Sequence, residues 1–250
     1  MKGGRLKNEE KDKRFRTLSS FIFNFRYATS KQIHTFSQLI MNLSSSKWLV
    51  DSSVKEGYLD YYFDTNVRRN IYYLTQKGKD LIEDDETLAN HYFFKKTFTG
   101  INTFIHHNMV VQTYFLIKSH LVIKEWISEE VIRIGKKRRE KIPDALIILP
   151  NGVKIALEAE SKRKKIAVLK TLVARYRYDI EKISRYDACL VVAFGKRHYE
   201  GLKGKFLNIG ADFFNKRIIL TDIVMLEHGV VFYQGESRHL EDALALLKKG

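Results

Sequence analysis

Glu158, Glu160 and Lys162 stand two residues apart in the segment ALEAESKRKK. On a β-strand, side chains at i, i+2 and i+4 project from one face. An extended backbone here therefore sets two carboxylates and an ammonium side by side. Adjacent carboxylates repel unless a cation stands between them or one takes up a proton. At a surface, water resolves the conflict; away from water, the group is a site. Val153, Ile155, Leu157 and Ala159 alternate with the charges and form a clean apolar face, so a plain amphipathic strand fits the same pattern. A nearby third acid and the flanking bases weigh toward a site.

That third acid is Asp144, in KIPDALIIL, at the start of the preceding strand. Pro150-Asn151-Gly152 separates the two strands, and Asn-Gly between β-rich runs is a strong turn signal. A hairpin folded tightly about residues 151–152 sets Asp144 level with Ala159, pointing away from the two glutamates. A turn one residue longer or shorter, or a bulge, brings it beside Glu158 or Glu160. Three carboxylates, Asp144, Glu158 and Glu160, would suit a hard divalent cation, Mg²⁺ or Mn²⁺, completed by waters and phosphate oxygens. Lys162 would steady charge developing on a phosphate or orient the attacking water. Basic runs lie on both sides: Lys136, Lys137, Arg138 and Arg139 before Asp144, and Arg163, Lys164 and Lys165 after Lys162. They would hold a nucleic-acid backbone.

The totals favour the same partner. Across 250 residues, 44 Lys and Arg face 29 Asp and Glu, a formal charge of +15. Such an excess serves a polyanion, nucleic acid before an anionic membrane surface. A hydrophobic content of 44% makes the chain globular, with room for one large domain or two smaller ones. No apolar run approaches the ~20 residues of a membrane span, and no leader pattern opens the chain, so a cytoplasmic protein is expected. The single cysteine, Cys189, sits in the apolar run ACLVVAF and reads as a buried structural thiol.

Several elements must position these groups. Residues 1–12 read as a basic flexible tail. From 13 to 85 the pattern is helix, turn, helix with Thr29 or Ser30 as N-cap, a third helix over about 44–57, an aromatic hairpin around DTNVRR, and a helix opening after Thr75. Residues 86–100 read as a helical connector. From 101 to 250 come the apolar helix INTFIHHNMVVQTYFLIKSHL, a short strand at EEVIRI, the Asp144 hairpin, a long amphipathic helix from Ile166, the buried strand DACLVVAF, strands at RIILTDI and VVFYQG, and a C-terminal helix. The class is α+β, with an α/β core around a mixed sheet. Tyr176 and Tyr178, on the long helix, read as packing or phosphate contacts rather than nucleophiles.

The first part resembles a winged helix-turn-helix domain, through the helix–helix–helix–hairpin order and the exit Tyr72-x-Leu74-Thr75-x-x-Gly78. That resemblance implies a third helix in the major groove, with Lys47 and Lys55, and Arg68 and Arg69 on the wing reaching phosphates or the minor groove. Pro143-Asp144 with Glu160-Ser161-Lys162 resembles the PD-(D/E)xK nuclease superfamily over about residues 101–235. With the second acid Glu158 and the triplet His106-His107-Asn108, the chain resembles the MOBC class of plasmid relaxases and, more distantly, the replication-relaxation proteins. The class carries His-Glu-Asn where this chain has His107 in the middle. The resemblance implies His106, Asn108, Asp144, Glu158, Glu160 and Lys162 as active-site positions with a divalent metal. It also implies single- or double-stranded transfer-origin DNA as substrate, with an accessory relaxosome protein and a coupling protein as partners. On an ideal helix His106 and Asn108 lie about 200° apart, so only one can face the site unless the helix breaks there. Two other functions stay open: a catalytically inactive regulator of plasmid replication built on the same scaffold, and a transposon- or restriction-type endonuclease.

Overall fold

The computed structural model describes residues 2–82, 101–134 and 142–247. The expected connector (86–100) and the basic run Lys136, Lys137, Arg138 and Arg139 lie outside the described residues. The chain divides into two compact units, Met1–Phe104 and Ile105–Gly250.

In the first unit, a helix spans Lys2–Phe25, so residues expected as a tail are helical. Arg14 reaches Glu10 one turn back along it, and Lys11 holds Glu56 at 2.9 Å, at the end of the third helix. Strand β1 (Ala28–Thr29) leads into the helix Ser30–Met41, opened by a capping box between Thr29 and Gln32. The third helix is Lys47–Lys55, shorter than expected at both ends. Strands β2 (Leu59–Asp64) and β3 (Arg69–Leu74) form the hairpin and complete a three-stranded sheet in the order β1-β3-β2. At its tip the Asp64 carboxylate accepts the N–H groups of Asn66 and Val67, and Arg68 takes the left-handed conformation that closes the loop.

The Thr75–Gly78 exit has a specific cause. Thr75 Oγ1 accepts the Gly78 N–H at 3.1 Å, while its own N–H donates to Tyr58 O. A Cβ on Gly78 would lie 2.1 Å from Tyr58 O. Only glycine lets the Gln76–Asp80 helix start this close to the backbone of Tyr58, which leads into β2.

The second unit is a seven-stranded mixed sheet in the order β10-β9-β8-β7-β6-β5-β4. These are β4 (Glu125–Ser128), β5 (Ala145–Ile148), β6 (Lys154–Glu160), β7 (Ala188–Ala193), β8 (Ile218–Asp222), β9 (Val230–Tyr233) and β10 (Glu236–His239). Strands β6, β7 and β8 run parallel; the other pairings are antiparallel. Helix Ile166–Arg177 and the helical span Lys196–Arg217, which kinks at Gly210, connect the parallel strands and share a core with Ala156, Val191 and Ala193 on one face of the sheet. Ile117 of the helix Ile101–His120 and Leu244 of the last helix meet Ile147, Ile155 and Leu190 on the other. The expected α+β class with a mixed central sheet is the architecture observed. Cys189 is fully buried, as expected.

One element is displaced from its expected place. EEVIRI is not a strand: the strand is β4, one segment earlier, and Glu129–Arg133 is a helix opened by Ser128. Two glutamates in the first turn and an arginine in the last favour that helix through its dipole.

Candidate active site

Strand β6 has hydrogen-bonded neighbours on both sides, and every residue from Ile155 to Glu160 is buried. Glu158 and Glu160 are 3% and 2% exposed, which removes the solvated-strand explanation for the pair. A buried carboxylate needs donors or cations, and each glutamate has one. Buried Tyr176, on the helix that covers this face, donates its hydroxyl to Glu158 Oε1. Burial, then the charge of Glu158, pushes the Tyr176 phenol well above its usual range. Glu160 accepts from Lys164 Nζ.

Lys164, not Lys162, is thus the ammonium at the acids. Strand β6 ends at Glu160, so the two-residue alternation that would align Lys162 stops. Lys162 is exposed at a bend, and the chain carries Lys164 back to Glu160. Lys205 fixes this return by donating to Lys164 O at 2.8 Å. Burial lowers the Lys164 pKa, but the charges of Glu160, Glu158 and Asp144, with the Glu160 hydrogen bond, leave it raised above the ordinary value. Lys164 was expected among the DNA-backbone contacts; its ammonium is instead engaged inside the site.

Asp144 is set by the hairpin turn. Ala145 pairs with Leu157 and Ile148 with Lys154. The turn is a Pro150–Gly152 loop closed by Leu149 and Val153, one residue longer than a tight Asn-Gly turn, with Gly152 left-handed at its end. Continuing the register by one step sets Asp144 beside Glu158. Asp144 itself bends out of the ladder: its N–H donates to Leu157 O, and its Oδ2 accepts the Ala159 N–H at 2.7 Å. Its backbone carbonyl accepts the Glu129 N–H at 3.1 Å.

Its second oxygen, Oδ1, lies 3.3 Å from His106 Nε2. The hydrogen bond to Asp144 raises the His106 pKa against the opposing effect of burial; Asp144, Glu129 and Glu160 add to the rise through their charge. The helix Ile101–His120 runs unbroken through both positions, so Asn108 is exposed on another face and does not join His106.

Asp144, Glu160, His106 and Lys164 therefore form one coupled group, with Glu158 and Tyr176 beneath it. Among the described residues, no three His, Cys, Asp or Glu side chains converge as a metal cage of their own. The donor set still suits Mg²⁺ or Mn²⁺, because such ions need only one or two carboxylates and take their remaining oxygens from water and phosphate. Asp144 and Glu160 would be those carboxylates, whereas Glu158 is engaged by Tyr176.

His198 also borders the group. Burial, together with Arg163, Lys205 and Lys164, depresses its pKa, and Glu160 partly offsets them. Nothing in the sequence singled it out: it comes from a helix that spacing arguments had not placed. Arg163 and Lys165 are exposed beside the site, and Lys47, Lys55, Arg68 and Arg69 are exposed on the first unit.

No protein-family model matches this chain, and no curated protein is significantly similar to it.

Proposed function

We propose that this chain is a metal-dependent DNA endonuclease that nicks one strand at a transfer origin, in the manner of a nuclease-fold relaxase. The observation that carries the reading is the burial of Glu160 on Lys164, within electrostatic reach of the Asp144–His106 pair, at the end of a hairpin in a strongly basic chain. Buried ionisable groups perturbed by specific charged partners at a strand end mark a candidate functional site.

Asp144 and Glu160 would hold the divalent ion. Held there, it would supply Lewis-acid polarisation of the phosphate and a more acidic water. Lys164 stabilises the added negative charge of the transition state. His106, oriented by Asp144, moves the proton of the attacking water or of the leaving oxygen. Glu158 holds its place through Tyr176. That hydroxyl is buried on a carboxylate, which argues for water over Tyr176 as the nucleophile.

The first unit has the element order of a winged helix, and we infer that it finds the origin. Its third helix would enter the major groove, and the Asp64–Arg69 tip would reach the backbone. No helix among the described residues is long and apolar enough to cross a membrane. The accessory and coupling proteins rest on the resemblance alone.

The test is plasmid topology. Supercoiled DNA carrying the transfer region of the host element is incubated with Mg²⁺, Mn²⁺ or EDTA. Metal-dependent open circles mapping to one strand position support the relaxase reading. Linear product points to a restriction- or transposon-type enzyme. A second reading, a non-catalytic regulator, is favoured by one feature: Lys164 and Tyr176 already satisfy both glutamates without a metal. Sequence-specific binding without nicking under any metal would select it.

A further inference from the structure

Strand β7 is buried throughout, from Ala188 to Ala193. The next residue, Phe194, is 59% exposed. A lone exposed hydrophobe is ordinary on a protein surface. This one is held by its backbone at the edge of the catalytic group. Its N–H donates to Glu160 O at 3.1 Å, and Gly195, left-handed at φ 85°, turns back on Ala193 immediately after it. No heavy atom lies within 4 Å of where a Gly195 Cβ would stand, so glycine is required there by conformation, not by space.

The parallel register sets Glu160 beside Ala193. Two segments therefore leave the same sheet edge together: the 161–165 segment with exposed Arg163 and Lys165, and the Phe194 turn with exposed Lys196 and Arg197. An aromatic face between cations is how proteins hold an unpaired nucleic-acid strand, the ring taking a base and the cations its phosphates. In a duplex, base faces are hidden and such a ring has nothing to stack on.

We propose that Phe194 is a stacking platform for the nucleobase next to the phosphate that a divalent ion on Asp144 and Glu160 would hold. Arg163, Lys165, Lys196 and Arg197 anchor the neighbouring phosphates. The proposal rests on the nucleic-acid reading of the site and adds to it a residue that positions the unpaired strand at the cut.

The experiment uses the full chain and a fluorescein-labelled single-stranded thymidine oligonucleotide of about eight nucleotides, within the usual site size. Anisotropy is read in EDTA, so that binding is separated from cleavage. Phe194→Ala weakens binding roughly tenfold to a hundredfold, the worth of one base–aromatic stack. Phe194→Trp keeps the affinity, and Phe194→Leu does not. The slope of log affinity against log salt is unchanged by Phe194→Ala, while Lys196→Ala with Arg197→Ala flattens it by about 1.4. Wild-type affinity in Phe194→Ala, or in Phe194→Leu, would overturn the proposal. In the second case the surface is a general apolar contact, as for a protein partner.

Metal-dependent nicking by wild type is followed in parallel. Nicking with unaltered affinity in Phe194→Ala removes the platform and leaves the enzyme. The stacking signature without nicking keeps the platform and removes the catalytic reading.

Discussion

His106 and Asp144 give the site a pH signature that is measurable without substrate. In the metal-free protein, pairing with Asp144 raises the His106 pKa above its unfolded value of about 6.5. A group raised on folding stabilises fully below the unfolded pKa, and that stabilisation is lost as pH rises through the folded pKa. His106→Ala in EDTA should therefore lower the melting temperature more at about pH 5.5 than at about pH 9. Equal losses at both would show that the pair does not form. The Tyr176 hydroxyl is a second handle. Tyr176→Phe leaves the Glu158 carboxylate buried without that donor, a loss of about 1.5–3 kcal/mol in urea unfolding for a bond to a charged group. An unchanged midpoint would mean that Glu158 is held by other contacts. Both glutamates stood out in the sequence, but their burial did not. Alternation of charged and apolar residues reads the same on a solvated strand and on an interior strand whose second face lies under a helix. The choice of lysine was equally hidden, because it depends on where β6 ends.

Local rules carried further for the first unit than for the second. Thr29 as N-cap, the Asp64–Arg69 tip and the Thr75 exit are all short-range chemistry and were legible. Gly78→Ala should destabilise the first unit by about 1–3 kcal/mol or more, because a backbone oxygen cannot yield as a side chain can. Thr75→Ala should cost about 1 kcal/mol through the lost cap. Thermal unfolding of the full chain reads both, and a neutral Gly78→Ala would mean that the helix starts differently. The register of the Asp144 hairpin was not legible. Asn151-Gly152 signals a turn, but the loop includes Pro150, and that one residue decides which acids align. The Glu129–Arg133 helix was misread as a strand because its apolar residues are too few to fix a period; the dipole-favouring charges at its ends were the better signal. Strand β10 and the helix Lys196–Arg217 were not anticipated. The helix carries lysines, arginines and glycines through much of its length, which blurs its apolar stripe.

At the scale of the molecule, charge and architecture carry different parts of the function. In the proposed reading, the excess of +15 would set affinity for a polyanion, and the buried group what is done to it. Duplex binding should fall with salt, and removing Arg68 and Arg69 together should flatten the log–log slope by about 1.8 if each meets a phosphate. A slope identical to wild type would place the wing off the DNA. The α+β class and the mixed sheet were readable from the order of helical and strand-like apolar runs. The grouping of Asp144, Glu160, His106 and Lys164 required the folded sheet, because it joins a helix distant in sequence to the hairpin and the segment that follows it.

The central claim is that these four residues act on a phosphodiester. Single-turnover nicking of supercoiled origin DNA in Mn²⁺ tests it most directly, comparing wild type with Glu160→Gln, Lys164→Ala and Lys162→Ala. Glu160→Gln and Lys164→Ala should each lose about 100-fold or more in rate, the usual worth of a group that stabilises transition-state charge. Lys162→Ala should stay within a few-fold of wild type. Loss at Lys162 with activity kept at Lys164, or nicking that survives Glu160→Gln, would contradict the assignment.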